Sequence, residues 1–280
     1  MTNSDTNRRG TDARVLVGGG GVPRLAPAVM ARRAGVGVTL GQRDPESRGA
    51  SVRNFGMVWP IGQPSGPHLE QAMRGRGLWL QVAERAGLWR RTVGSLHLAH
   101  AEDEWQVIRE YHDRAELPGL ELLTPTAVRA LSPAVRTDRL LGGLFSPHEM
   151  NVDPREAIAG LRAYLARDPA VDLVFGVGVR SLRPASSILT DGRELNFDRA
   201  VVCPGADLRT LYPDLLTRAD LMSCRLQMFS LAPPHPTFEL GPMIAAGLTL
   251  LHYKSFADCP SLPALRDRMM RTHAPWLARG

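Results

Sequence analysis

Residues 13–21 read ARVLVGGGG and residues 36–40 read VGVTL, with the alanine- and arginine-rich stretch PRLAPAVMARRAG between them at 23–35. A β-branched run ending in glycines, a helical composition and a second apolar run spell strand, turn, helix, strand within thirty residues. That is a βαβ unit, whose crossover makes its two strands parallel. The glycines stand where such a unit lets backbone N–H groups approach a pyrophosphate at a helix N-terminus. The stretch points to an α/β fold that opens on a dinucleotide site. A glycine turn with no ligand is the alternative that the motif alone leaves open.

The fingerprint departs from its usual form. In the frame Gly18-x-Gly20-x-x-Pro23 the third glycine is a proline; in the frame Gly19-x-Gly21 the corresponding residue is Arg24. Close helix-to-strand packing favours glycine there. Pro27 falls deeper in the helix, where it removes a backbone hydrogen bond at a cost of about 3 kcal/mol. After the second strand Gln42, with Arg43 beside it, stands where an acidic residue binds ribose hydroxyls.

The composition bounds what the rest can be. The chain has 280 residues, 44% of them hydrophobic, with 27 Gly and 22 Pro, enough for one large or two small cores. Cys203, Cys224 and Cys259 are an odd number without metal-type spacing, which argues against a disulfide framework or a zinc knuckle and for a reducing, cytoplasmic setting. No apolar run reaches the roughly 20 residues of a membrane span, and the first 14 residues are polar. The formal charge is +6, but Lys254 is the only lysine, so 33 of the 34 basic residues are arginines. They are scattered singly or in pairs, unlike a nucleic-acid footprint.

Further along, 68–87 has helical apolar spacing, 93–100 alternates like a strand, and AEDEWQVIREYHDRA returns to a helical pattern with acids in its first turn. At 153–167 Asp153 can cap a helix with Pro154 at its first position, and Ile158, Leu161 and Leu165 form a buried stripe. Residues 171–182 and 198–207 read as strands around a turn at Asp191-Gly192. RLQMFSLA and LTLLHY are two late strand candidates. His97, His100 and His148 show no metal-ligand arrangement.

The segment RGASVRNFGMVWPIGQ at 48–63 resembles the D-amino-acid-oxidase and glycine-oxidase-like superfamily of FAD-dependent oxidoreductases. More narrowly, it looks like the subgroup associated with aminophosphonate catabolism. The likeness extends through GSLHLAH, LLGGLFSPHEMNVDPREAI, DRAVVCPGAD and GLTLLHY, so it covers nearly the whole chain. It implies a Rossmann-like FAD-binding domain interleaved with an antiparallel-sheet substrate domain. The implied segments are 13–62 and 141–212 for FAD, and 63–140 and 213–280 for substrate. It also implies that Gly18, Gly20, Gly21, Gln42 and Arg43 belong to the cofactor site, that Ser51, Arg53, Asn54 and Gly56 line flavin and pyrophosphate, and that Val179 meets the adenine side. Cys203 to Gly205 would approach the cofactor from a later strand.

The reaction so implied oxidises the C–N bond of a small amine, amino acid or aminophosphonate by hydride transfer to FAD. An anionic substrate group would want an arginine, with Arg225 and Arg53 as candidates. His252 and Tyr253 lie on the expected late strand, and Trp59 and Met57 are flavin neighbours or core packing. The resemblance further implies a closing segment, absent from these 280 residues, that brings a second glycine-rich turn to the flavin. That absence, with Pro23, Pro27 and Gln42, leads to an expectation of weak FAD retention or none, and to a catalytically silent relative as the alternative. An NAD-dependent dehydrogenase is disfavoured because 48–63 has no role in it. The expected partner is a small amine, with no nucleic acid and no membrane.

Overall fold

The computed structural model describes residues 13–19, 21–44, 46–207, 209–219, 221 and 227–277. Its first elements are β1 (Arg14–Gly19), α1 (Val22–Arg33), β2 (Gly37–Gln42), β3 (Met57–Val58), α2 (Pro67–Ala86), β4 (Arg90–Arg91), β5 (Ser95–Ala99) and α3 (Glu102–Arg114). There follow β6 (Glu121–Leu123), α4 (Pro125–Leu131), β7 (Gly142–Ser146), β8 (Met150–Val152), α5 (Pro154–Ala166), β9 (Val171–Phe175), β10 (Val179–Arg183) and β11 (Ser186–Leu189). The last are β12 (Glu194–Asn196), β13 (Arg199–Cys203), α6 (Pro213–Arg218), β14 (Met243–Ala245), α7 (Gly247–His252) and α8 (Leu262–Leu277). The chain divides into two compact units. One comprises Met1–Phe55, Ala86–Leu88 and Asp153–Ser223; the other comprises Gly56–Arg85, Trp89–Val152 and Cys224–Gly280.

The first unit carries a parallel sheet in the order β13-β1-β2-β9, with β1 pairing both β13 and β2. Leu16, Val17, Val38 and Leu40 are fully buried, as expected of central parallel strands. α1 lays Leu25, Ala28 and Val29, one helical stripe, onto β1 and β2. α5 begins as its sequence announces: Asp153 Oδ1 accepts the N–H groups of Arg155 and Glu156 at 2.8 and 3.0 Å, and Ile158, Leu161 and Leu165 are buried. A three-stranded antiparallel sheet, β10-β11-β12, completes the unit.

The second unit holds a four-stranded sheet in the order β14-β5-β7-β6, antiparallel except for the parallel pair β14 and β5, and a small sheet β3-β8-β4. Its core gathers Ile61, Ile108, Leu144, Leu250, Phe256 and Leu265. Arg268 on α8 ties that helix to α3, donating to Asp103 at 2.6 Å and Glu104 at 2.8 Å.

Several expectations need correcting. Residues 141–152, expected in the cofactor domain, lie in the second unit, because β7 pairs with β5 and β6 while β8 pairs with β3 and β4. Gly56 to Gly62 go with them, drawn in by the pairing of β3 with β8. LTLLHY is the helix α7, not a strand: Gly247 and Leu250 are buried three residues apart while Leu248 is 44% exposed, a helical period. The described part of RLQMFSLA forms no strand, and Phe229 is 86% exposed. α1 runs through Pro27 without a break. No helix among the described residues is long and apolar enough to cross a membrane.

Candidate functional site

The carboxyl ends of β1, β2 and β13 meet the N-terminus of α1, the place where open α/β sheets bind ligands. Gly19, with φ +125°, lies against Cys203, and a Cβ there would overlap the Cys203 carbonyl oxygen. Gly21, with φ +84°, forms the N-cap of α1, and a Cβ there would collide with Ser51 Oγ. Gly18 packs against the Val179 methyl group, which would be 3.3 Å from an added Cβ. So the structure brings together Gly18, Gly21, Ser51, Val179 and Cys203, residues from four separate stretches of sequence. Gly20 lies outside the described residues.

The first turn of α1 has few donors to spare. The Val22 N–H donates to Ser51 Oγ at 3.0 Å, Pro23 has no N–H, and the Arg24 and Leu25 N–H groups both bond the Gly21 carbonyl at 3.2 Å. Ser51 is held in place by a turn that Asn54 closes, donating to the carbonyls of Ala50 and Ser51 at 3.1 and 2.8 Å. The break that Pro27 makes in the helical ladder is also filled. Its missing N–H would have bonded the Pro23 carbonyl, and that oxygen instead accepts the Cys203 thiol at 3.1 Å. Burial raises the Cys203 thiol pKa, so the group stays protonated and able to donate.

The remaining expected cofactor residues are scattered. Gln42 ends β2 opposite Phe175. Arg43 is exposed and pairs with Asp207 at 3.1 Å, whose carboxyl is held below the usual range first by the Thr210 hydroxyl. Gly205, with φ +62°, sits in an exposed turn after β13. Arg53 is exposed and borders a cleft of about 850 Å³, together with Arg48, Arg155, Arg162 and Phe175. Gly56 belongs to the second unit, where its carbonyl accepts the Val152 N–H at 2.9 Å.

Arg24 is the residue that sequence reasoning passed over. Placed in the buried stripe of α1, it is 0% exposed. Its Nη1 reaches the Gly41 carbonyl at a long 3.4 Å, while Nε and Nη2 have no partner among the described residues. Burial, and next the nearby Arg162 guanidinium, push its pKa down to about 10. The sequence signal was a charged residue at a position that helix-to-sheet packing reserves for a small one.

Of the expected substrate residues, Met57, Trp59, His252 and Tyr253 fall in the second unit and Arg53 in the first. Trp59 is half-buried and stacks on Tyr253 with ring centroids 6.0 Å apart. Gly62 allows this, because a Cβ there would lie 2.6 Å from Tyr253 and 2.8 Å from Trp59. His252, exposed at the end of α7, sets its ring edge-on against Tyr253 with centroids 5.0 Å apart, and Arg225 lies outside the described residues. Met57 pairs with Asn151 in the small sheet. Next to Trp59, at 5.6 Å, is His97, 1% exposed, with neither ring nitrogen partnered among the described residues. No group of His, Cys, Asp or Glu among the described residues could hold a metal ion.

Burial pushes the His97 imidazole down to about 4, so it is neutral at pH 7. In the unfolded chain it titrates near about 6.5 and takes up a proton that the folded state refuses. Its neutral burial is therefore harmless above that pH, and stability is lost as pH falls toward 4, by about 3 kcal/mol in all. Denaturant titrations at pH 7 and pH 4.5 should show this loss, and His97→Leu should remove most of it. An equal acid loss in the variant would assign it to other groups.

A parallel sheet whose first strand turns through glycines into a helix, with a small antiparallel sheet attached, defines a Rossmann-type α/β fold. The chain belongs to the DAO family of FAD-dependent oxidoreductases, whose profile matches residues 14–255. Its fold is shared with glycine oxidase from Geobacillus kaustophilus, at a TM-score of 0.64 and 21% identity over 84% of this chain and 66% of that one. Glycine oxidase from Bacillus cereus gives 0.62 and 20% over 72% and 57%. L-proline dehydrogenase from P. horikoshii gives 0.64 and 17% over 84% and 64%. The chain thus spans less than two thirds of each of these solved structures. No curated protein matches it significantly.

Proposed function

We propose that this chain is an FAD-dependent oxidoreductase acting on the C–N bond of a small amine, amino acid or aminophosphonate. The observation that carries the reading is the convergence of Gly18, Gly21, Ser51, Val179 and Cys203 at the carboxyl ends of the parallel strands. The fit to the dinucleotide is good in the glycine packing, and the unpartnered Arg24 guanidinium supplies positive charge beside it. The chemistry that FAD would supply when bound is a hydride acceptor for the carbon that carries the amine nitrogen. The protein's part is to hold the dinucleotide through the glycine loop and the Ser51 turn, with Asn54 and Arg53 beside it, and to orient the amine. Within the second unit Trp59 and Tyr253 stack as a flat apolar surface, and Arg225 and Arg53 are the guanidinium candidates for a carboxylate or phosphonate. The narrower placement in aminophosphonate metabolism rests on the 48–63 segment alone.

A second reading, a catalytically silent relative with weak FAD binding, is favoured by one observation: Ser51, Pro23 and the Gly21 carbonyl leave the first turn of α1 without a spare backbone donor on Val22, Pro23, Arg24 or Leu25. A cytoplasmic location is supported by the odd cysteine count and by Cys203 and Cys259 being free thiols. The test is a visible spectrum of the purified chain before and after adding FAD, followed by peroxide assays with small amines. We expect substoichiometric flavin as isolated, reversible uptake of added FAD, and amine-dependent peroxide. Uptake without turnover would favour the silent relative, and failure to take up FAD would end the oxidoreductase reading.

A further inference from the structure

Dinucleotide sites of this architecture hold their pyrophosphate mainly with backbone N–H groups at the first helix. Here those groups are spoken for on Val22, Arg24 and Leu25, and Pro23 has none. One donor set in the same turn is not: the Arg24 guanidinium, fully buried, with Nε and Nη2 unpartnered and no carboxylate paired to it among the described residues. Nε–H and Nη2–H are the parallel pair on the side edge of the fork, the edge that meets two oxygens of one oxyanion.

An uncompensated buried charge costs several kcal/mol, and Arg162 nearby adds repulsion rather than relief. Apolar packing would serve α1 better if packing were the only demand. We propose that Arg24 is the phosphate ligand of the bound dinucleotide in this chain, taking over from the backbone donors that Pro23 and Ser51 remove. Among the described residues, the hydrogen bond that the guanidinium gives up when it turns to the phosphate is its 3.4 Å contact with the Gly41 carbonyl. The proposal rests on the FAD reading above and goes beyond it in assigning the anion to a side chain.

The test uses the whole chain and its Arg24→Met and Arg24→Lys variants, with FAD, ADP and adenosine as probes in isothermal titration, and thermal melts without ligand. In the wild type, ADP should bind at least about ten-fold more tightly than adenosine. Arg24→Met should erase that preference, weaken FAD by a similar factor, leave adenosine unchanged, and raise the melting temperature of the ligand-free protein. Arg24→Lys keeps the charge without the fork, so it should fall between the two, and it serves if the methionine variant does not fold. ADP binding by Arg24→Met within two-fold of wild type, or, where that variant does not fold, ADP binding by Arg24→Lys within two-fold of wild type, would overturn the proposal. If the wild type binds neither FAD nor ADP, the FAD reading falls with it; if both wild type and Arg24→Met bind FAD equally, this inference falls alone.

Discussion

Gly19→Ala is expected to abolish cooperative folding of the first unit, at a cost of about 4 kcal/mol or more. Two terms act at once. The backbone at φ +125° is a conformation that side chains rarely adopt, worth roughly 1–3 kcal/mol by itself. The added methyl would also overlap the backbone of Cys203, which is fixed by its pairing with β1 and cannot rotate away. Gly176→Ala is the control: φ there is +74° but nothing lies within 4 Å of the added Cβ, so only the backbone term of about 1 kcal/mol remains. Thermal melts followed by circular dichroism, with limited proteolysis of the 13–55 region, would separate the two variants. Equal stability of Gly19→Ala and Gly176→Ala would show that the strand ends are not packed as described.

The second large effect belongs to Glu149, a carboxyl with no exposure at all. Oε1 accepts the Ile61 N–H at 3.0 Å and Oε2 accepts the Ser95 hydroxyl at 2.9 Å, which fastens the 57–62 segment to β5 and the turn before β8. Burial raises its pKa, against the hydrogen bonds from Ser146, Ile61 and Ser95. Glu149→Leu would strand two buried donors and should cost about 3–5 kcal/mol. Glu149→Gln can still accept from Ile61 and, through its amide nitrogen, donate to Ser95, so it should stay near wild type. The pH dependence has a definite sign. The folded carboxyl keeps its proton where the unfolded one has lost it, so wild-type stability falls as pH rises through that window. Glu149→Gln should gain on the wild type at high pH and match it at low pH. Parallel denaturant titrations at pH 5 and pH 8 measure this, and a Gln variant as damaged as Leu would refute the role given to the oxygens.

What could be read in advance was local. The strand, glycine turn, helix and strand at 13–42 carry their own signals in branched residues and glycines, and Asp153-Pro154 announces its helix by capping chemistry. Gly18, Gly21 and Ser51, which the structure brings together, are residues that the motif and the resemblance also name. What escaped was set by tertiary contacts. LTLLHY has a strand-like composition, but it lies where Leu250 can enter the core at helical spacing. Pro27 reads as the uncompensated loss of a helical hydrogen bond, because nothing in its neighbourhood tells that a thiol 176 residues later meets the freed carbonyl. Glu149 reads as an ordinary charged residue and Arg24 only as a misfit in the glycine fingerprint, since burial of a charge is not written in the local pattern.

The pairing of β1 with β13 has a consequence for how the protein is made. The Arg14 N–H finds its acceptor, Asp198, 184 residues downstream. At about 5–20 residues per second on the ribosome, β1 waits roughly ten to forty seconds for its second neighbour. During that interval a strand of Leu and Val presents an open edge to everything in the crowded cell, and the nascent chain depends on whatever shields it until residue 203 has emerged.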